Sequence, residues 1–98
     1  MKAVNSAYYA RLQTEVSFID LLKILGKMPK KNHGEIAKMR CVFHQDTSPS
    51  LYFYLRRGAY HCYGCNCGGD VFSFVRQMKN LTMTQTVRFF RKHFDITP

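Results

Sequence analysis

Cys41-Val42-Phe43-His44 and Cys62-Tyr63-Gly64-Cys65, separated by 17 residues, decide how this chain of 98 residues is to be read. A two-residue gap lets the backbone turn so that both side chains of a pair reach one ion. Three thiols and an imidazole so placed can close a tetrahedral zinc site. A closed set of four ligands leaves no open coordination position. Such a site stabilises a fold and does not activate water, so the pattern predicts one structural Zn2+ in a binding module. Cys67 offers a rival four-cysteine set with Cys41, Cys62 and Cys65. A single residue between Cys65 and Cys67 makes joint chelation tight, whereas Gly64 supplies the freedom a turn around the metal needs. Spacing therefore favours His44 over Cys67.

Apolar residues at 46% and charged residues at 21% describe a globular chain whose core the metal supplements. No run approaches the roughly 18 apolar residues of a membrane span, and Met1 to Ala10 lacks the apolar centre of a secretory signal. A reducing, cytoplasmic setting without membrane contact is expected, where cysteines favour metal over disulfides. The formal net charge is +9. Zinc held by three thiolates brings two positive charges and expels three protons, so the surplus survives metal binding. With eight Phe, six Tyr and no Trp, this basic chain points to a polyanionic partner, foremost nucleic acid.

Working outward from the cysteine pairs, Ser50 to Leu55 alternates Leu51, Phe53 and Leu55 with Tyr52, Tyr54 and Arg56, which predicts a strand. Arg57-Gly58 marks a turn, and Ala59 to Tyr63 returns as the partner strand. Glu35 to Arg40 reads as a further strand, with Ala37, Met39 and Cys41 on one side and Ile36, Lys38 and Arg40 on the other. Lys27 to Gly34 reads as a basic loop. Ser17-Phe18-Ile19-Asp20 fits a capping box opening a helix over about 17–25, which Gly26 ends; a shorter helical segment over 8–16 precedes it. Asp70 caps a helix over 71–79, and Thr82-Met83-Thr84-Gln85 opens another over about 83–93. The expected architecture is α+β, an antiparallel sheet over about 35–67 flanked by helices, in one small domain covering 1–98.

The run Cys41-Val-Phe-His44-Gln-Asp-Thr-Ser-Pro49-Ser50, followed by Tyr60-His-Cys62-Tyr-Gly-Cys65 and Gly69-Asp70-Val-Phe, resembles the amino-terminal zinc-binding domain of bacterial and phage DnaG-type primases. The resemblance runs from near Phe18 to near Phe94. It implies the ligands Cys41, His44, Cys62 and Cys65, with Cys67 outside the set, and a zinc-ribbon-like sheet flanked by helices. Val42 and Leu51 depart from residues common in that family, Pro and Phe, and both replacements are apolar. Primases of this type make RNA with a separate catalytic domain, which the resemblance does not extend to.

Six acidic residues without an Asp-x-Asp-like cluster offer no magnesium site for phosphoryl transfer, so no catalytic residue is expected. Asp46, the nearest candidate base to His44, suits the turn before Pro49 better. The expected role is recognition of single-stranded DNA template. Tyr52 and Tyr54 would stack on bases; Lys38, Arg40, Arg56 and Arg57 would contact the backbone, with Lys30 and Lys31 extending the track. Tyr60, His61 and Tyr63 are weaker candidates. A primase catalytic domain or a replicative helicase would be a further partner. The competing reading is a zinc-stabilised protein adaptor that docks through the regions of Phe89 and Tyr8-Tyr9; a duplex or RNA binder is a third.

Overall fold

In the computed structural model, residues 5–27, 31–43 and 49–98 are described, with 31–33 described by backbone alone. Lys30, His44 and Asp46 lie outside the described residues. Five strands form one antiparallel meander in the order β1 (Lys31–His33), β2 (Ile36–Met39), β3 (Leu51–Tyr54), β4 (Ala59–Cys62) and β5 (Cys67–Asp70). Helices α1 (Ser6–Glu15) and α2 (Phe18–Leu25) precede the sheet, and α3 (Val71–Lys79) and α4 (Met83–Phe94) follow it. Among the described residues no helix is long and apolar enough to cross a membrane.

Register follows directly from the alternation of side chains. Ala37, Phe53, Tyr60 and Gly69 stand opposite one another across four strands, as do Met39, Leu51, Cys62 and Cys67. Because facing residues of an antiparallel ladder point to the same side, these two rows make the inner face. Leu51, Phe53, Tyr60 and Cys62 are accordingly buried. Helices cover that face. Phe74 of α3 is the hub, with its ring 5.1 Å from Tyr60, 5.3 Å from Phe53 and 5.7 Å from Phe18 of α2. The Tyr60 hydroxyl donates to Gln77 Oε1 at 3.1 Å and ties sheet to helix. Beyond α3, Phe72 stacks on Phe90 of α4 and meets Tyr8 of α1 edge-on.

Local signals set the helix ends. Ser17 Oγ accepts the Asp20 amide at 3.1 Å, and Gly26 closes α2 in the left-handed region that its lack of a Cβ permits. Thr82 and Gln85 complete a reciprocal capping box, and Asp70 Oδ1 accepts the Ser73 amide at 2.9 Å. Val16 and Leu21, flanking the Ser17 cap, are both buried.

Two strands depart from the sequence expectation. The basic stretch expected as a loop contains β1, whose Lys31-Asn32-His33 has no apolar alternation and becomes a strand by pairing with the free edge of β2. Likewise Cys67-Gly68-Gly69-Asp70 forms β5 through its ladder with β4, where the sequence shows only a glycine-rich lead into a helix cap. The sheet therefore runs beyond both ends of the expected 35–67.

Candidate metal centre and aromatic face

Cys41 follows β2, Cys62 ends β4, and Cys65 lies in the turn joining β4 to β5, so the ends of β2 and β4, on either side of β3, and that turn bring the three thiols together. Their sulfurs all lie within 4.8 Å of one another, and Cys41 Sγ is 3.5 Å from Cys65 Sγ. A tetrahedral zinc with bonds of roughly 2.3 Å to sulfur spaces its sulfurs about 3.8 Å apart, so the three are already at coordination distance. Backbone amides point at them. Phe43 N–H donates to Cys41 Sγ and Cys65 N–H to Cys62 Sγ, both at 3.3 Å. Ser50 Oγ lies 3.6 Å from Cys62 Sγ.

This cradle splits the thiols' acidities. Burial pushes the Cys62 thiol up, but bonds to its sulfur from the Cys65 amide, Ser50, Cys41 and the Gly64 amide outweigh it and bring the pKa down to about 7. Burial and the bonds it makes with Cys41 and Cys62 push Cys65 up to about 12. One sulfur is ready to ionise while its neighbour resists, the behaviour of a crowded thiol cluster that a cation would relieve. Cys67 is not in the cluster. Although it stands opposite Cys62 in the ladder, its sulfur accepts from Gln77 Nε2 of α3 at 3.9 Å.

The outer face carries the other two rows. Lys38, Tyr52, His61 and Gly68 stand in register, with Lys31 next to Lys38 at the edge, and Ile36, Tyr54, Ala59 and Asp70 form the adjoining row. Tyr52 and Tyr54 stack at 6.5 Å and 21°, Tyr63 meets Tyr52 edge-on at 5.2 Å, and His61 packs 4.5 Å from Tyr63. A 2.7 Å bond joins the Tyr54 and Tyr63 hydroxyls, and it holds the Tyr54 phenol above its ordinary range. Gly68 makes room for this cluster: a Cβ there would sit 2.5 Å from the Tyr60 carbonyl oxygen and 3.1 Å from His61 Nδ1.

Of the sequence candidates, Tyr52 and Tyr54 are half-buried and lie on the outer face, and Lys38, Arg40 and Arg57 are exposed around it. The Arg57 guanidinium lies 5.9 Å from the Tyr54 ring centre. Arg56, also exposed, pairs with Glu35 at 2.7 Å. Tyr60 must be removed from the stacking candidates. It is only 3% exposed and packs on Phe74, because its register position is odd with respect to His61 and turns it inward. Tyr63, ranked low from sequence, is 62% exposed and central to the cluster. It lies one residue past the end of β4 and continues the alternation of Ala59 and His61 onto the outer side, the signal that could have ranked it higher.

The CHC2 zinc-finger pattern, in its DnaG zinc-ribbon form, matches residues 4–98. The chain belongs to the CHC2 zinc-finger family. Relatives of this CHC2 zinc finger include the DNA primase of Chlamydia trachomatis serovar D, 35% identical over 92 residues, which covers 91% of this chain and 16% of the relative. The DNA primase of Deinococcus radiodurans is 44% identical over 48 residues, 49% of this chain and 8% of the relative. The CHC2 zinc finger thus spans only a small part of the length of the curated relatives it matches. Its fold is that of the Aquifex aeolicus primase structure containing zinc-binding and RNA polymerase domains, with a TM-score of 0.77, 23% identity, and coverage of 96% of this chain and 23% of that one. The recognised α+β architecture and the DnaG-type zinc-binding domain are therefore both established.

The metal this family takes is zinc, and the donor set fits it. Soft sulfurs within reach of one ion, held by amide donors, suit a structural Zn2+.

Proposed function

We propose that this domain holds single-stranded DNA template against the outer face of its sheet, with the zinc fixing that face in place. The observation that carries the reading is the joined Tyr52-Tyr54-Tyr63 cluster flanked by Lys38, Arg40 and Arg57. Aromatic rings accept any base on their faces at about 1–3 kcal/mol each, and the cations follow the backbone. In this reading Lys30 and Lys31 would extend the basic track, and Arg56 adds a charge that Glu35 partly balances.

In the same reading, Cys41, His44, Cys62 and Cys65 complete the zinc shell, Cys67 stays outside it, and residues 1–98 act as one zinc-binding domain in the cytoplasm. The domain supplies recognition and no catalysis. Among the described acidic residues, Glu15 and Glu35 pair with arginines and Asp70 caps a helix, so none joins a carboxylate cluster able to hold magnesium. RNA synthesis then belongs to a primase catalytic domain working beside it, with a replicative helicase as a further partner.

Titration of the zinc-loaded protein with labelled oligo(dT), matched duplex and oligo(U) over a range of salt tests the reading. Neutralising five phosphates predicts a slope of about −3.5 in log affinity against log salt. Binding to single strands that is absent, independent of salt, or weaker than binding to duplex would sink it.

A further inference from the structure

A second recognition surface lies among the helices, away from the tyrosines. A groove of about 540 Å3 runs between the C-terminal end of α2, the α3–α4 turn and the outward side of α4. Its floor is apolar: Ile24, Leu25, Leu81 and Phe89 line it, and Ile24 is 43% exposed. Its charged lining is entirely cationic, from Lys79, Arg88 and Lys92, with His93 beside them.

The face of α4 that forms it is only partly drawn into the core, where Phe89 packs on Phe90. Thr86, Val87 and Phe90 point inward, which leaves Gln85, Arg88, Phe89 and Lys92 at the one-and-a-bit-turn spacing of a second, outward stripe. The groove is also held in shape. Leu81 N–H donates to the Arg76 carbonyl at 2.9 Å while Arg76 Nε returns a bond to the Leu81 carbonyl at 3.3 Å, and the Phe89 ring packs 4.5 Å from His93.

We propose that this groove docks an acidic amphipathic helical segment of a partner protein. An apolar floor under a wholly basic rim complements a helix with apolar anchors at i, i+3, i+4 and i+7 and carboxylates on either side. Nucleic acid fits it less well, because the exposed floor residue is the aliphatic Ile24 and Phe89 already packs on Phe90 and His93. A second copy of the chain fits poorly too. Fifteen Lys and Arg against six Asp and Glu make two copies repel. The proposal stands apart from the single-strand reading, whose residues occupy the other side of the sheet.

The test uses the zinc-loaded chain and a fluorescent helical peptide of roughly 15 residues with leucines at the anchor positions and glutamates elsewhere. A control peptide keeps the leucines and replaces each glutamate with lysine. The acidic peptide should bind at least about tenfold more tightly than the control, and its binding should weaken by a similar factor in the Arg88→Glu/Lys92→Glu protein. Ile24→Asp should weaken it as much. Backbone amide shifts on binding should centre on Ile24, Leu81 and Phe89. Zinc content and oligo(dT) affinity should stay unchanged in both proteins, and Arg88→Gln/Lys92→Gln repeats the measurement should the reversal disturb folding. Equal binding of the two peptides, indifference to these substitutions, shifts mapping to Tyr52 and Tyr63, or displacement of the peptide by oligo(dT) from the groove would overturn the proposal.

Discussion

The two sides of the β3–β4 hairpin are built from the same four-residue strands and differ in everything else. On the inner side Leu51, Phe53, Tyr60 and Cys62 are buried among α2, α3 and the sulfur cluster, where each side chain answers to packing or to the metal. On the outer side Tyr52, Tyr54 and His61 touch mainly one another and Tyr63. The polar tips of Tyr54 and Tyr63 are satisfied by each other, which leaves their ring faces as the property the surface offers. Period-two alternation thus separates stability from recognition within one hairpin, and substitutions on the two sides should fail in different ways.

The largest inner-side effect is expected from the cluster itself. Cys62→Ser should lose stoichiometric zinc and with it a metal-binding free energy on the order of 10 kcal/mol, whereas Cys67→Ser should keep both the metal and the fold. Metal analysis beside thermal unfolding reads this directly; equal zinc loss in the two variants would show that Cys67 belongs to the shell. Chelation of the wild-type protein should loosen the hairpin while α1 to α4 retain helical circular dichroism, since Phe74, Phe90 and Leu12 are fully buried in the packing of the helices.

The sign of the pH dependence is set by the same thiols. In the metal-free cluster Cys65 is protonated at neutral pH and Cys62, near 7, is about half ionised. Zinc must expel the Cys65 proton at pH 7 and, at lower pH, the Cys62 proton as well. Affinity should therefore fall as pH drops, and fall more steeply below about 7. Calorimetry in buffers of different ionisation enthalpy counts the protons released. A count that does not rise on moving from pH 8 to pH 6 would contradict the split between the two thiols.

Next in size is Phe74→Ala, which removes the hub between the sheet and α2. Loss of a fully buried phenylalanine costs about 3–5 kcal/mol. Denaturant unfolding should register that loss, and oligo(dT) affinity of the still-folded fraction should not follow it. A parallel loss of affinity would mean that the two sides of the sheet are coupled.

How much of this was legible in the sequence varies with the kind of signal. The Cys-x-x-His and Cys-x-x-Cys pairs, the Leu51-Phe53 alternation and the caps at Ser17, Asp70 and Thr82 each carry a local physical cause, and the structure gathers Cys41, Cys62 and Cys65 accordingly. β1 and β5 were not legible. Lys31-Asn32-His33 and Cys67-Gly68-Gly69-Asp70 become strands through hydrogen bonds to a neighbour distant in sequence, which composition does not encode. Tyr8, expected with Tyr9 as docking surface, is 1% exposed on the inward side of α1, one helical turn from buried Leu12, while Tyr9 stays half-buried, and both rings meet Phe72 edge-on. Phe89 is half-buried, and the sequence stripe through Val87 and Phe90 gave no sign of the basic groove its other side would line.

On the outer side, effects should be smaller and should appear in binding alone. Tyr52→Ala removes a ring that contacts both Tyr54 and Tyr63, and should weaken oligo(dT) by about 1–3 kcal/mol with little change in unfolding midpoint. Fluorescence anisotropy measures the first and thermal unfolding the second; an intact affinity would remove the tyrosine cluster from the recognition surface.

The smallest expected change distinguishes charge from stacking. Arg57 lies against Tyr54, so its cation can either orient the ring or meet a phosphate. If it meets a phosphate, Arg57→Gln should make the salt slope shallower by about 0.7 for single strands while leaving high-salt affinity nearly unchanged, since one fewer counterion is released. If it only orients the ring, the slope should be preserved and affinity should fall equally at every salt concentration. Arg56→Gln is the internal reference. Its carboxylate partner Glu35 is freed by the substitution, so the local charge falls by one in either variant, yet only Arg57 adjoins a stacked ring. A uniform loss at Arg57 with a slope change at Arg56 would place the backbone track at the end of the sheet where Arg56 meets Glu35 and leave the tyrosines to contact bases alone.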